Sequence, residues 1–322
     1  MRKKVLFIGM LVTLLFAFSG CGTKNEGVVT LIMSDVQEGD HPTAQACDKF
    51  AELVKKRTNG KVVIEVYHGS TLGTEAEQIA QATVGGIDFV RVSSPVAAYY
   101  DDIKAFQALY LYSSEDDMWK VLDGEIGNEF LKAQQLKDNG LEGLCWISGG
   151  SRNFYNNVRP ITSPEDLAGL TLRVNTDSMF AFLESCGAKG INVSYNSIEA
   201  GTIDGAENNW PSYISTGHYK VAPYITVDEH TRIPEMIVAS TESMNKLTSE
   251  QQQIVRECAQ EAGQLQRKWM QEYDEKAIKA AEDAGCTITY LTKEQSAKFQ
   301  SVAEPINEKV SAKYMTIIRM FP

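Results

Sequence analysis

Recognisable catalytic machinery is what this chain lacks. Four histidines, His41, His68, His218 and His230, are scattered over 322 residues. No H-E-x-x-H, G-x-S-x-G, G-x-x-x-x-G-K or G-x-G-x-x-G pattern occurs, which sets aside the usual signatures of zinc proteases, serine hydrolases, P-loop enzymes and dinucleotide-binding enzymes. Glu229 and His230 are adjacent, and neighbours on a strand point to opposite faces, so they do not make a metal pair. Cysteine is sparse, six in all with no CxxC pair, which removes the common zinc and redox motifs. Beyond Cys21, most of the five at 47, 145, 186, 258 and 286 read as buried small apolar residues. Spacing gives no support to a Cys145–Cys186 or Cys258–Cys286 bridge. Positive charge is also short. Without Arg2, Lys3 and Lys4 the chain holds 28 basic against 42 acidic residues, a net −14, which excludes a nucleic-acid binder. Any anion site must be a local positive pocket in a negative surface. Past the first twenty residues no apolar run is long enough to cross a bilayer.

The beginning of the chain is a targeting segment. Arg2, Lys3 and Lys4 precede the apolar run Val5 to Phe18, and the small residues Ser19 and Gly20 lead directly into Cys21. That order marks a secretory leader. It resembles a bacterial lipoprotein signal, which implies that Cys21 is lipidated and becomes the mature N-terminus. Residues 1–20 are then removed, 21–27 form a tether, and the body is expected to be soluble and outside the cytoplasm, anchored to the cell membrane. With 43% hydrophobic and 23% charged residues, the remainder has the make-up of a folded chain. About 300 residues allow one large or two medium domains.

Periodicity predicts α/β organisation. Strands at 28–33, 61–67 and 87–92 alternate with helices at 42–58 and 73–84, a β-α-β-α-β run that predicts a parallel sheet covered by helices. Helices at 114–122 and 124–135 lead to a strand at 141–147. A second block starts near Arg152. Ser163-Pro164-Glu165-Asp166 is a helix start, with a capping serine, a proline at the first position and acids in the first turn. A strand at 170–174, a helix at 177–185 and strands at 224–229 and 236–240 follow. Thr248-Ser249-Glu250-Gln251 opens a helical pattern with no clear stop before Gly285. A strand at 286–291 and a helix from Thr292 close the chain. We expect two α/β lobes with strands crossing between them and a long late helix bracing both.

The chemistry concentrates between Arg152 and Tyr213. Arg152 and Arg173 each sit in or beside a strand-like run, and Glu207, Asn208, Asn209 and Trp210 follow as a polar and aromatic cluster. A guanidinium offers planar forked donors that match a carboxylate with two parallel bonds. Amide and indole groups can read hydroxyls and an apolar face. This set suits capture of a small organic acid, and it contains no nucleophile paired with a base.

Taken in order, several segments identify a family. They are HPT from His41, TNGKVVIEVYHGSTLG from Thr58, GIDFVRVS from Gly86, GGSRNFYNN from Gly149, PEDLAGLTLRV from Pro164 and IDGAENNWPSY from Ile203. Their order and spacing resemble the solute-binding proteins of tripartite ATP-independent periplasmic (TRAP) transporters, over about Val28 to Lys309. The resemblance implies a two-lobed periplasmic-binding-protein-like fold with hinge strands and a long helix spanning both lobes. Lobe 1 would be 28–150 with contributions from about 230–260, and lobe 2 would be 151–229. Residues 230–322 would supply the returning strands, the spanning helix and C-terminal helices. It also implies a receptor that delivers its ligand to a membrane permease, without a cofactor or metal. Arg173 would form the carboxylate salt bridge, Arg152 would be a second arginine near the ligand, and Asn208 would help to hold the carboxylate. GAENNWPSY, RNFY and FVRVS look most like the branch that binds sugar acids such as glucuronate or galacturonate. That branch adds His41, Glu75, Arg91 and Trp210 as contacts to hydroxyls and the ring. One segment departs from the family: KGINVSYNSIEAGTI, at 189–203, is several residues shorter than the helix usual there, which would enlarge the pocket, loosen the second lobe or impair binding outright. The readings that compete with a hexuronate receptor are a C4-dicarboxylate receptor, a ligand-binding partner of a sensory protein, and a secreted sugar-acid hydrolase or lyase.

Overall fold

β-Branched runs and turn residues divide the chain into eleven strands and ten α-helices among the described residues, which in this computed structural model are 27–318 apart from 194–196 and 199. The first sheet has the order β2-β1-β3-β10-β4. Its first three strands are β1 (Val29–Ser34), β2 (Val62–Tyr67) and β3 (Phe89–Val92). They run parallel, as the alternation with α1 (Pro42–Arg57) and α2 (Glu75–Ala82) predicts. β4 (Leu141–Ile147) and β10 (Glu235–Ser240) complete the sheet, and β10 is antiparallel to both β3 and β4. Phe50 of α1 and Phe89 of β3 meet edge to face at 5.2 Å inside this lobe.

The second sheet has the order β11-β9-β5-β8-β6-β7. β5 (Arg152–Asn156) lies between β8 (Gly205–Asn208) and β9 (Tyr224–Thr231), antiparallel to each. β6 (Thr171–Arg173) and β7 (Lys189–Ile191) are parallel neighbours, and β6 is also parallel to β8. β11 (Thr287–Tyr290) pairs with β9. α6 (Asp177–Ser185) buries Phe182 against Phe154 of β5 and Phe299 of the last helix. After β7, Ile198 and Ile203 are buried with Tyr155, Trp210 and Tyr213.

Two connections cross between the sheets, 148–151 after β4 and 232–234 before β10. Glycine is required at the first of them. A side chain at Gly149 would stand 2.5 Å from the Ile233 carbonyl, and Gly150 has φ +68°. α9 (Ser249–Asp283) braces both lobes. It is opened by a reciprocal cap between Thr248 and Gln251, and its 35 residues span about 50 Å. It packs on α1 and β4 in one lobe and on α7 (Trp210–Ser215) in the other. At Gly263 the helix lies so close to β4 that a Cβ would be 2.7 Å from the Trp146 carbonyl. α10 (Lys293–Ile318) adds a second tie, where Asn307 brackets the backbone N–H and C=O of Leu109 at 2.9 and 2.7 Å.

Several local readings shift. The predicted helix at 124–135 is two helices, α4 (Glu125–Leu131) and α5 (Gln134–Asp138), because Ala133 takes an extended conformation between them. The start at Ser163 is a single 3-10 turn, Pro164–Leu167. All five described cysteines are free, with Cys47, Cys145 and Cys258 buried. Cys21 lies outside the described residues. No helix among the described residues is long and apolar enough to cross a membrane.

Candidate ligand-binding cleft

A cleft of about 540 Å³ opens where the two sheets meet. Glu75, Arg91, Ser93 and Glu235 line it from the first lobe, Arg152, Asn175, Asn208 and Asn209 from the second, and Gly149 from the crossover. Strand geometry delivers these side chains. β3 and the parallel pair β6 and β8 end at the cleft, and β10 begins there. Volume and setting match those of a small-molecule site at the carboxyl ends of parallel strands.

The wall of the first lobe is built on Arg91. Its side chain is only 1% exposed, and Nε donates to Asp35 Oδ1 at 2.9 Å. Nη1 donates to Glu235 at 3.3 Å and stands 3.6 Å from Glu75. Asp35, just past β1, is fully committed, since it also accepts from Thr43 Oγ1 at 3.2 Å and from the Gln37 backbone N–H at 3.2 Å. Glu75, in the first turn of α2, is held by the Ser93 backbone N–H and by Ser93 Oγ at 2.9 Å. Burial raises the Glu235 carboxyl to about 7, with Arg91 opposing and Glu75 and Asp35 adding to the rise.

The wall of the second lobe is built on Arg152. Phe154 faces Glu207 across β5 and β8, so Arg152, two residues earlier, is the diagonal neighbour of Glu207. Glu207 takes a forked contact from Nε and Nη2 of Arg152, the latter at 2.9 Å. Nη1 donates to Asn208 Oδ1 at 2.9 Å, which also accepts from the Asn209 N–H. Behind them His230 is fully buried and stacked on Phe154 at 4.5 Å. Its Nδ1 lies 2.8 Å from Asp228 and its Nε2 lies 3.3 Å from Glu207. Burial lowers the His230 pKa, but Asp228 and Glu207 more than reverse this and bring it to about 9. Burial likewise raises Glu207, yet Arg152 and His230 hold it down to about 2. The result is a closed row of alternating charges, Arg152–Glu207–His230–Asp228, that fixes the cleft-facing guanidinium in place.

The remaining expected site residues lie outside the set that lines the cleft. Arg173 ends β6 beside Ala206 of β8 and is 8% exposed. Its Nε donates to the Val193 carbonyl at 3.2 Å. Asn175, two positions on, is a lining residue. His41 caps α1, where Nδ1 accepts from the Thr43 N–H and lies 2.9 Å from Thr43 Oγ1, and the ring turns its other nitrogen, Nε2, inward. That nitrogen is buried with no partner among the described residues, and burial pushes the ring pKa to about 4. Trp210, in the first turn of α7, is buried and packs edge to face on Tyr213 at 6.0 Å. Thus Glu75, Arg91, Arg152 and Asn208 come together in the cleft, and Arg173, His41 and Trp210 are not among its lining residues. Sequence reasoning missed Glu235 and Asp35. Glu235 carried a readable signal, as an acid that opens the otherwise apolar strand EMIVAS.

A profile of the bacterial extracellular solute-binding proteins, family 7, matches residues 33–313. A solute-binding protein of Chromohalobacter salexigens is 32% identical over 281 residues, 85% of this chain and 82% of that protein. The fold superposes on a TRAP periplasmic solute-binding protein from Sulfitobacter with bound β-D-galacturonate, at TM-score 0.86 and 30% identity, covering 91% of this chain and 99% of the other. One from Citrobacter koseri with bound D-glucuronate superposes at TM-score 0.84 and 32% identity, covering 91% and 98%. Sheet order, the bracing helix, the cleft and these matches agree, and the chain belongs to family 7 of the bacterial extracellular solute-binding proteins, the receptors of TRAP transporters.

Proposed function

We propose that this protein captures a hexuronate and hands it to the membrane subunits of a TRAP permease while tethered to the cell surface through a lipid on Cys21. The observation that carries the ligand assignment is the unequal charge of the two cleft walls. On the second lobe, Arg152 and Asn208 face the cleft beside the strand that ends in Arg173. That wall suits one carboxylate. On the first lobe, Glu75 and Glu235 surround Arg91, and acceptors of this kind suit hydroxyls but repel a second carboxylate. The uronates bound by the structural relatives support the same reading.

Micromolar capture requires about −8 kcal/mol. A ligand of about a dozen heavy atoms reaches that only in an enclosing, largely preformed site. The row of charges behind Arg152 supplies preorganisation, and lobe closure would supply the enclosure.

D-Glucuronate or D-galacturonate should raise the melting temperature by a few degrees at a hundredfold excess over the dissociation constant, which corresponds to about 2.7 kcal/mol. Succinate and malate at equal concentration should raise it less. Stabilisation by succinate or malate, with none by either hexuronate, would overturn the sugar-acid assignment and leave the receptor assignment standing. The tether is tested separately. Wild-type protein should partition with membranes, and Cys21→Ala should release or misprocess it. An unmodified wild-type N-terminus by intact mass would refute lipidation.

A further inference from the structure

Three carboxylates converge on Arg91, and they are not equivalent. Asp35 is fully buried and already accepts three hydrogen bonds, from Arg91, Thr43 and the Gln37 N–H. Glu75 lines the cleft but is clamped by the N–H and hydroxyl of Ser93. Glu235 lines the cleft and, among the described residues, accepts one hydrogen bond, from Arg91 Nη1 at 3.3 Å. An ionised carboxylate offers about four acceptor positions, so Glu235 keeps most of its capacity.

Its position is imposed by the fold. Ile237 lies directly opposite Arg91 in the antiparallel pairing of β10 and β3, and Glu235 therefore shares the face of Arg91 at a diagonal position. On the other side it passes over the crossover glycine. A Cβ on Gly149 would stand 3.2 Å from Glu235 Cγ and 3.4 Å from Cδ. Glycine at 149 thus lets the side chain lie across the hinge and reach the cleft.

We propose that Glu235 sets the specificity of the cleft at the end away from the ligand carboxylate, accepting a hydrogen bond from a ligand hydroxyl there and excluding acids that carry a second carboxylate at that end. This inference rests on the hexuronate reading. The charged groups that face Glu235 are Arg91 on β3, Glu75 on α2, Asp35 after β1 and Arg152 on β5. With the carboxyl raised to about 7, Glu235 changes charge over a range in which a sugar diacid stays a dianion. Its neighbours across the cleft hold their charge through that range, Glu207 near 2 and His230 near 9. Exclusion of a diacid needs the ionised form, since a protonated carboxyl can donate to a second carboxylate.

The test is titration calorimetry with D-galacturonate and with galactarate, its dicarboxylate counterpart, at about pH 6 and about pH 8. Wild type should prefer galacturonate, and the preference should widen at the higher pH. Glu235→Gln should weaken galacturonate by about 10- to 100-fold, the cost of losing a charged acceptor. It should also strengthen galactarate and make the ratio of the two affinities independent of pH. Glu235→Asp retains the charge on a shorter arm, so it should weaken galacturonate yet still exclude galactarate. This second variant separates a specificity role from simple loss of structure. A wild-type preference that Glu235→Gln leaves unchanged at both pH values overturns the proposal while the hexuronate assignment stands. Wild type that binds neither of these acids and does not bind D-glucuronate overturns both.

Discussion

Glu207→Gln is expected to lower the unfolding free energy by about 3–5 kcal/mol, the usual consequence of removing one member of a buried ion pair and leaving its partners charged. The substitution keeps the volume but strips the negative charge from between Arg152 and His230, both of which contact Glu207 inside the protein. Among the described residues, His230 would then keep Asp228 alone as a counter-charge. Chemical denaturation at neutral pH measures the effect, and ligand affinity should fall with it, because Arg152 loses the partner that aims it at the cleft. A midpoint within the error of wild type would mean that the row of charges does not carry stability.

The same row predicts an unusual pH profile. His230 has a folded pKa of about 9 against 6.5 for the free group. Its stabilisation is therefore complete below about 6.5 and is lost as the pH rises through 9. Glu235, raised from 4.5 to about 7, and Asp274, raised from 3.8 to about 8 by burial and by the nearby Glu115 and Glu229, act in the same direction. Each loses its contribution as the pH rises through the folded value. Glu207 acts oppositely. Its folded value of about 2 lies below 4.5, so its contribution is present above 4.5 and is lost as the pH falls toward 2. His41, lowered from 6.5 to about 4, also loses stability as the pH falls from 6.5, which offsets only one of the two raised carboxyls there. Together they therefore place maximum stability in mildly acidic solution, with a decline to pH 9 that is steepest above 6.5. Thermal melts across that range should show it. In Glu207→Gln the alkaline decline should move to lower pH, because His230 has lost one of the two carboxylates that hold its proton. A maximum at pH 8 or above in wild type would contradict the assignment of these charges.

Arg173→Lys is expected to cost about 2–4 kcal/mol of ligand binding, the range for cutting a buried charge-assisted pair. We propose Arg173 as the carboxylate partner because it ends β6, parallel to the strand that carries Glu207 and Asn208, and because Asn175 next to it lines the cleft. Lysine preserves the charge but not the planar fork, and two parallel bonds become one. Arg152→Lys should cost less in ligand contact, since Glu207 already occupies the fork of Arg152. Calorimetry with a hexuronate distinguishes the two substitutions. Unchanged affinity in Arg173→Lys would remove that residue from the site. An effect larger for Arg152→Lys would make Arg152 the principal anion contact.

Sequence alone determined the local elements and named four of the residues that line the cleft, Glu75, Arg91, Arg152 and Asn208. Period-two apolar runs, the capping pair Thr248 and Gln251, and glycine stops place β1 to β3, α1 and α9 within a few residues of where they lie. These features are local, because capping and periodicity depend on neighbours within one or two turns. Arg152 and Asn208 were legible as candidates, since forked donors and amides concentrate in one stretch, and the fold brings both to the cleft. Tertiary structure decided what each charge does. Arg91 is tied to Asp35 and to Glu235, 56 and 144 positions away, and Arg152 to Glu207 across 55. Those partnerships follow from which strands pair and in what register, and register is set by burial of whole faces rather than by any local pattern. The reversal of β10 against β3 brings Glu235 beside Arg91, and the insertion of β5 between β8 and β9 buries His230 between two carboxylates. An isolated acid at the start of EMIVAS has no such neighbours until the second lobe has been built and the chain has returned to the first.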